Sequence, residues 1–306
     1  MRGAAFDVLA PAYDAAFTAT PLGTLLRRSV WKRLDASFAP GQHVLELACG
    51  TGEDAVHLAE RGVRVLATDA SPVMAETARR KVSKAGWGGL VDVQHLPIED
   101  LARLRPSPLG GGGLEQGGGQ EGGVPIGAGA SVPHRAAPLL TSPLSQPPPP
   151  RGEEQFPFDG AFSDFGGLNC VADLGSVARD LAALLRPGAP VLLCVMGPIV
   201  PWEWAWYLGH GQPGKAFRRL RPGGVSWRGL TVRYPSIGKI RRAFAPAFRF
   251  RRVSGVGVFL PPTYAEEWTR RHPRLLAALD RWERRLAAVR PFPWLADHFL
   301  VELERA

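Results

Sequence analysis

Cysteine is scarce in this sequence, with three residues (Cys49, Cys170 and Cys194) in a chain of 306. Three cysteines at unrelated spacings do not form a disulfide framework, and no His, Cys or carboxylate spacing repeats as a metal site requires. Long apolar runs are also lacking, since even residues 191–200 fall short of the roughly 18 residues that span a membrane. The opening MRGAAFDVLAPAYD has no apolar signal core. These absences favour a cytoplasmic protein without a metal centre or membrane span.

The positive charge is unevenly distributed along the chain. The sequence has 37 Lys and Arg against 28 Asp and Glu, a formal net charge of +9, and the excess lies mainly after residue 200. A basic half can attract nucleic acids, anionic membranes or anionic substrates. No basic cluster here alternates with aromatic residues as in a nucleic-acid-binding motif, so a nucleic-acid partner is not favoured. The simplest interpretation is a set of solvated, arginine-rich helices.

Strand-like and helical patterns alternate through much of the chain, after a mostly helical segment at 1–40. The strand-like runs are, in order, HVLELA, VRVLATD, VDVQHL, FDGAFSDF, APVLLCVM, FRFRRVSGVGVFL and HFLVELERA. The helical pattern after the second run begins at Ser71-Pro72 and ends at Gly86, which are typical start and stop residues. This alternation predicts an α/β fold with a parallel sheet flanked by helices.

Two segments depart from the alternation. Residues from about 105 to 157 are dominated by Gly and Pro and lack hydrophobic periodicity, so we predict a disordered insertion. Its polyproline run at 147–150 is compatible with partner binding, although a surface excursion is the simpler interpretation. Residues 198–235 are rich in aromatics and irregular. The predicted organisation is a helical cap at 1–40 and a domain at 41–306, which the insertion interrupts and the aromatic-rich cap at about 198–235 extends.

The stretch VLELACGTGEDA joins a strand to a helix through a Gly-x-Gly turn. It satisfies the loose dinucleotide pattern G-x-G-x-x-G/A, and Asp69 follows about 20 residues later, where an acid would meet a ribose. A dinucleotide places its pyrophosphate on the helix N-terminus. Glu53 and Asp54 in that first turn would repel it, and Glu46 adds a carboxylate at the strand end. The charges therefore favour a cationic ligand without phosphate, such as S-adenosylmethionine, over NAD.

These motifs resemble those of class I S-adenosylmethionine-dependent methyltransferases. LELACGTG resembles the first motif, [D/E]-x-G-x-G-x-G, with Ala48 in place of the first glycine. ATDASPVM resembles the second motif, FDGAFSDFGGLNCVADL the fourth, and LAALLRPGAPVLLCV the helix-to-strand segment after it. FDVLAPAYD looks like the N-terminal helix of the quinone-biosynthesis group. The resemblance implies a Rossmann-like, doubly wound, mostly parallel seven-stranded sheet with helices on both faces, and S-adenosyl-L-methionine as the cofactor.

The resemblance also implies roles for individual residues. Asp69 would take both ribose hydroxyls, Met74 would lie against the adenine, and Tyr13 would help to close over the cofactor. The third motif departs from the family pattern, because Pro97 stands where an acid usually meets the adenine. Glu99 or Asp100 would substitute there, unless both are solvated loop acids. The implied cofactor-binding residues are Tyr13, Glu46, Ala48, Cys49, Gly50, Gly52, Asp69, Ala70, Met74, Ile98, Glu99, Ser163 and Phe165.

Methyl transfer from a sulfonium is an in-line displacement, so the enzyme mainly aligns the acceptor, the methyl group and sulfur. A general base is optional. Asp164 and Asn169 are candidates for this base, ahead of His95 and His210, and each has a structural alternative as a capping or surface residue. Trp202, Trp206 and Tyr207 are predicted to line a pocket for a flat or apolar acceptor. Packing of a cap helix on the sheet is the alternative for these aromatics.

The sequence thus predicts a cytoplasmic methyltransferase with a small-molecule acceptor. One alternative is an RNA (tRNA) methyltransferase that uses the basic C-terminal half. Ser163-Asp164-Phe165-Gly166 stands where base-amine methylases carry an aromatic tetrapeptide, which counts against it. A second alternative is a non-catalytic S-adenosylmethionine-binding protein, and an NAD dehydrogenase is the least favoured. The sequence does not determine the acceptor, the methylated atom or the oligomeric state.

Overall fold

A computed structural model describes residues 4–104 and 157–306. Its helices are α1 (Ala4–Asp7), α2 (Ala10–Tyr13), α3 (Pro21–Ser37), α4 (Glu53–Glu60), α5 (Pro72–Ala85), α6 (Leu174–Leu184), α7 (Pro201–Gly209), α8 (Pro213–Ala216), α9 (Ile237–Phe244), α10 (Glu266–Arg271) and α11 (Pro273–Leu286). Its strands are β1 (His43–Leu47), β2 (Arg64–Asp69), β3 (Val91–His95), β4 (Gly160–Ser163), β5 (Pro190–Met196), β6 (Val225–Trp227), β7 (Leu230–Val232), β8 (Phe248–Val256) and β9 (His298–Arg305). Residues 105–156, which include most of the predicted insertion and its polyproline run, lie outside the described residues.

Seven of the described strands form one sheet, in the order β3-β2-β1-β4-β5-β9-β8. The first five are parallel, whereas β9 is antiparallel to both β5 and β8. The predicted mostly parallel, seven-stranded α/β fold is therefore confirmed. Strand order reverses at β1 and β4, and such a reversal opens a crevice at the carboxyl ends of the strands.

Side chains alternate between two hydrophobic cores, one on each face of the sheet. Leu45 and Leu47 of β1 point into a core that includes residues of α6 and α9, while Val44 points into a core with α3, α4 and α5. Both cores are needed because a parallel strand is buried on each face. The sheet thus holds the loops at its carboxyl edge on a rigid base.

Local helix signals predict several boundaries correctly. The Ser71 hydroxyl accepts the N–H of Met74 at 3.1 Å at the start of α5, and Gly86 ends that helix in the left-handed conformation (φ 80°). Residues 266–286 form two helices, α10 and α11, which separate at Pro273. Pro273 disfavours helical backbone at the residue before it, and His272 leaves the helix at φ −126°, ψ 57°.

The region 198–235 is more regular than the sequence predicts. It contains α7, α8 and a two-stranded hairpin of β6 and β7, which pair Trp227 with Leu230. The two-residue turn between them has Arg228 at φ 47° and Gly229 at φ 80°, the pattern of a type I′ turn. Arginine is an uncommon first residue for that turn, so the hairpin lacks its usual Asn-Gly signal.

Candidate active site

A cavity of about 390 Å³ opens at the carboxyl edge of the parallel strands. The turn after β1, the end of β2 and the segment after β3 form one side of it, and the loop after β4 forms another. The N-terminal helices and the β6–β7 hairpin contribute further walls. The volume lies in the range of small-molecule and cofactor sites. This cavity brings together most of the residues that the motifs predict.

The turn after β1 depends on left-handed backbone. Ala48, Gly50 and Gly52 have φ values of 56°, 55° and 77°. A side chain at Gly52 would place its Cβ 2.9 Å from the Ala78 Cβ of α5, so glycine is required where α5 approaches the turn. Left-handed backbone costs a non-glycine residue such as Ala48 about 1–2 kcal/mol.

Gly167 explains how the turn accommodates Ala48. An added Cβ at Gly167 would lie 2.4 Å from the Ala48 Cβ. The absence of a side chain at 167 therefore makes the room that Ala48 occupies, and a side chain at both positions would overpack this wall. The departure from the first motif is thus matched by a glycine in the fourth.

Asp69 links the turn to the loop after β2. Its Oδ2 accepts the Gly50 N–H at 2.8 Å, and its Oδ1 accepts the Ser71 N–H at 2.8 Å. Burial raises the pKa of Asp69 to about 6, although these two backbone hydrogen bonds oppose the shift. A carboxylate oxygen has two lone pairs, so each oxygen retains capacity for a further donor. The residue therefore suits a ligand with two adjacent hydroxyl groups.

A largely buried guanidinium, that of Arg27, forms part of the cavity wall. Arg27 of α3 donates from Nη1 to Oδ1 of Asp54, and Trp31 Nε1 donates to the same oxygen at 2.6 Å. The Arg27 guanidinium also lies 5.1 Å from the centroid of the Phe165 ring. Arg27 is 5% exposed and Asp54 is 4% exposed. Arg27 was not among the predicted site residues, and Asp54 was noted only for its charge at the helix start.

Two further carboxyl groups belong to this cluster, those of Glu46 and Asp164. Burial raises the pKa of Glu46 well above its usual range, and the neighbouring Asp54 and Asp164 add to the shift. Burial likewise raises the pKa of Asp164, again with Asp54 adding to it and Arg27 opposing it. Three carboxyl groups thus face one guanidinium.

A second arm of the cavity is apolar. The hairpin contributes Val225, Trp227, Leu230 and Val232, and the Trp227 ring lies 5.4 Å from that of Phe6. The polar or charged side chains beside this arm include Tyr234 and Arg218. The alternating pattern VSW-RG-LTV is the sequence signal that points to this wall, through a hairpin with one apolar face.

The structure places most predicted cofactor residues at the cavity surface. Those that line it are Tyr13, Ala48, Cys49, Gly50, Asp69, Ala70, Met74, Ile98, Glu99 and Phe165. Glu46, Gly52 and Ser163 do not line it, although all three are in elements that support its wall. Burial raises the pKa of Tyr13 to about 12 and that of the Cys49 thiol well above its usual range, so both groups are neutral at physiological pH.

The predicted acceptor residues Trp202, Trp206 and Tyr207 do not line the cavity. Trp202 Nε1 donates to the Phe259 carbonyl at 3.0 Å. The Trp206 ring stacks on His210 at 4.6 Å, and the Tyr207 ring lies 5.2 Å from that of Tyr264. The aromatic face of α7 therefore packs against the segments that carry Phe259 and Tyr264, rather than against the sheet as the alternative interpretation of the sequence had it.

The two candidate bases have different surroundings. Asp164 lines the cavity, whereas Asn169 does not. The Asn169 side chain donates to the carbonyls of Met196 and Arg233, at 3.1 and 2.5 Å, and accepts the Met196 N–H at 2.9 Å. These bonds occupy the amide and assign Asn169 a structural role, since it ties β5 to the segment after β7.

The two histidine candidates are not at the cavity surface. His95 contacts the Ala70 carbonyl through Nε2 at 3.1 Å, and His210 contacts the Trp206 carbonyl through Nδ1 at 2.7 Å. No group of His, Cys, Asp and Glu within residues 4–104 and 157–306 is arranged to hold a metal ion. In the same ranges, no helix is both long and apolar enough to cross a membrane.

Comparisons with known proteins find relatives of part of this chain. A family model described as a methyltransferase domain matches residues 44–107. The ubiquinone/menaquinone biosynthesis C-methyltransferase of Geotalea daltonii is 33% identical over 102 residues, which are 31% of this chain and 42% of that protein. The malonyl-[acyl-carrier protein] O-methyltransferase of Serratia marcescens is 36% identical over 100 residues, which are 32% and 36% of the two chains. The chain thus spans about two fifths of the length of these curated relatives.

A solved structure supports the fold over most of the chain. It is that of a Listeria monocytogenes protein assigned to the S-adenosylmethionine-dependent methyltransferases, with a TM-score of 0.52 and 14% identity, covering 90% of this chain and 96% of that one. Residues 44–107 thus match a methyltransferase domain, and the fold over most of the chain is the one seen in that solved structure. The resemblance seen in the sequence motifs, and the cofactor that it implies, are therefore confirmed.

Proposed function

We propose that this protein transfers a methyl group from S-adenosyl-L-methionine to a small-molecule acceptor. The observation that carries the proposal is the continuity of the cavity, which runs from the Gly50 turn and Asp69 to the apolar wall of the hairpin. In-line displacement requires the acceptor and the methyl group to share one desolvated space. A cavity with a polar arm at the strand ends and an apolar arm beside it meets this requirement.

The polar arm fits the cofactor in its chemistry. Asp69 has acceptor capacity for ribose hydroxyls, and Met74 and Ile98 offer apolar surface for an adenine ring. The acidic wall that includes Asp54 and Asp164 suits a cation and is unfavourable for a pyrophosphate. When bound, the cofactor supplies an electrophilic methyl group on a positively charged sulfur, and the protein's part is to bind, orient and exclude water.

Calorimetry with S-adenosylhomocysteine and NAD tests the cofactor proposal. We expect S-adenosylhomocysteine to bind in the micromolar range, or tighter, and NAD not to bind at comparable concentration. Binding of NAD alone would overturn the proposal. Bulk tRNA serves as a third titrant, since salt-sensitive tRNA binding would revive the RNA-methyltransferase alternative.

Methyl transfer is tested with labelled S-adenosylmethionine and a small-molecule extract. We expect label in one or a few compounds, and binding of the cofactor without any labelled product would favour the non-catalytic alternative. The two relatives carry out C- and O-methylation by their names. Because those names differ in the atom methylated, the screen must read out the acceptor without assuming its chemistry.

Trp227→Ala tests whether the acceptor binds against the β6–β7 hairpin or against the aromatic face of α7. Removing this ring from the apolar arm should lower kcat/KM for the labelled acceptor at least tenfold, because a buried aromatic contact is worth more than about 1.4 kcal/mol. The affinity for S-adenosylhomocysteine should change less than threefold. Trp206→Ala is the matched control, since this ring packs on His210 outside the cavity. Equal losses in both variants would contradict the assignment of the acceptor arm to the hairpin.

The domain boundaries at 1–40 and 41–306, with the cap at about 198–235, remain proposals. The N-terminal helices and the β6–β7 hairpin both contribute residues to the cavity, which supports their description as a cap. The cytoplasmic location likewise remains a prediction from the sequence.

A further inference from the structure

The carboxyl cluster at the cavity wall has an excess of acids over bases. Glu46 of β1, Asp54 of α4 and Asp164 after β4 are 1%, 4% and 8% exposed, and all three interact with the Arg27 guanidinium. If all four groups were ionised, the cluster would carry a net charge of −2 away from water. Such an imbalance is costly in a buried site, and protonation of a carboxyl group is the usual way to relieve it.

The hydrogen bonds indicate which carboxyl group holds the proton. Arg27 and Trp31 both donate to Asp54. Among the described residues, by contrast, no donor reaches Oε2 of Glu46 or either buried oxygen of Asp164. Of these two groups, Asp164 is the one whose carboxyl group contacts that of Asp54 and which lines the cavity. Two carboxyl groups in contact need a proton between them. Because Asp54 already accepts two donors, that proton belongs on Asp164.

Asp164 also faces the cavity, where a ligand can change this balance. The charged and titratable groups around it are Asp54 and Arg27, with Glu46, Tyr13, Asp69 and Cys194 further out in the same cluster. Tyr13 and Cys194 are neutral because burial raises the pKa of each. A cation in the cavity would therefore be the charge that allows Asp164 to ionise.

We propose that Asp164 holds a proton in the ligand-free protein and releases it when the positively charged sulfonium cofactor binds. This inference rests on the proposed function, because the sulfonium is the cation that it invokes. In the transfer step the acceptor–carbon bond forms, the carbon–sulfur bond breaks, and its electron pair stays on sulfur. Sulfur becomes neutral, the cluster regains its excess negative charge, and Asp164 takes up a proton again, from the acceptor if that group loses one and otherwise from water.

The test counts protons released on binding, by calorimetry in two buffers of different ionisation enthalpy at about pH 6, where the ligand amino group stays protonated. S-adenosylmethionine and S-adenosylhomocysteine share the ribose, adenine and amino acid, so any contribution from Asp69 is common to both. We expect the sulfonium ligand to release at least half a proton more than the thioether. Equal release by the two ligands would overturn the proposal.

Asp164→Asn supplies the variant arm of the test. The asparagine amide can donate to Asp54 as the protonated acid does, so we expect this variant to fold and to lose the extra proton release. Asp92→Asn, at an exposed carboxylate of β3, should retain it. Unchanged proton release in Asp164→Asn would overturn the proposal, whereas no binding of either ligand to the wild type would overturn the proposed function instead.

The pH dependence of affinity gives an independent readout on the unmodified protein. Below the pKa of Asp164 in the free protein, the sulfonium ligand must displace a proton, so its affinity should rise up to tenfold for each unit of increasing pH. Above that pKa the affinity should level off. The thioether should show a smaller slope, and equal slopes for the two ligands would contradict the assignment.

Discussion

Asp69→Asn should weaken the binding of S-adenosylhomocysteine by about 100-fold. A hydrogen bond to a charged group contributes about 1.5–3 kcal/mol, and a loss of about 2.8 kcal/mol from the ribose contacts corresponds to this factor. Calorimetry at a temperature well below the unfolding transition measures it directly. Asp92→Asn is the matched control, because Asp92 lies on the neighbouring strand and is exposed. An affinity within threefold of the wild type would contradict a ribose contact.

The same substitution also disturbs the turn, so direct contact must be separated from support of the backbone. The two carboxylate oxygens of Asp69 accept the N–H groups of Gly50 and Ser71. In Asp69→Asn one of these oxygens becomes an amide nitrogen, which cannot accept a hydrogen bond. A 2′-deoxyribose analogue of S-adenosylhomocysteine provides the separation. If Asp69 contacts the hydroxyl, the analogue loses affinity for the wild type and little for the variant. If Asp69 acts only through the turn, the two losses add.

Arg27→Ala should lower the free energy of unfolding by about 3–5 kcal/mol. The substitution removes the cation from a buried cluster and leaves Asp54 and its two neighbouring carboxyl groups without a compensating charge. Urea unfolding monitored by circular dichroism measures the change. Arg28→Ala is the control, because Arg28 is the next residue of α3 and is exposed, so its effect should stay within about 0.5 kcal/mol.

The loss of unfolding free energy caused by Arg27→Ala should depend on pH in a definite direction. Arg27 opposes the raised pKa values of Glu46 and Asp164, so without it these values rise further in the folded state, and protonation then stabilises that state. A raised pKa contributes stability that is present at low pH and is lost as the pH rises through the folded value. The loss caused by Arg27→Ala should therefore shrink on acidification. A loss equal to that of Arg28→Ala at all pH values would contradict the role of Arg27.

The site's main framework was predictable because its signals are local. Alternating apolar residues identify the strands, Gly50 and Gly52 mark the turn, and Asp69 follows at the end of the next strand. Parallel strands place their carboxyl ends at one edge, so the residues after β1, β2 and β4 must meet there. The charges in the turn, Glu53 and Asp54, disfavoured a pyrophosphate without any tertiary information.

The acceptor side was not predictable in the same way. Composition indicates that aromatics are concentrated at 198–235, but it does not indicate which of them reaches the cavity. Trp202 and Trp206 are four residues apart and share a face of α7, and that face packs on the loops of Phe259 and Tyr264. Trp227 reaches the cavity from a hairpin with an atypical turn. There its ring lies beside that of Phe6, a residue more than 200 positions earlier in the sequence.

The sequence by itself determined the α/β class, the succession of strands along the chain and the glycine turn, and it favoured a ligand without phosphate, because each depends on neighbours within a few residues or on strand direction. The tertiary structure alone decided the partners of the buried charges. Arg27 and Arg28 are adjacent and chemically alike, yet a rotation of 100° along α3 buries the first against Asp54 and leaves the second in water. Which carboxyl groups lack a donor, and which of them faces the cavity, depends on contacts that only the packed elements create.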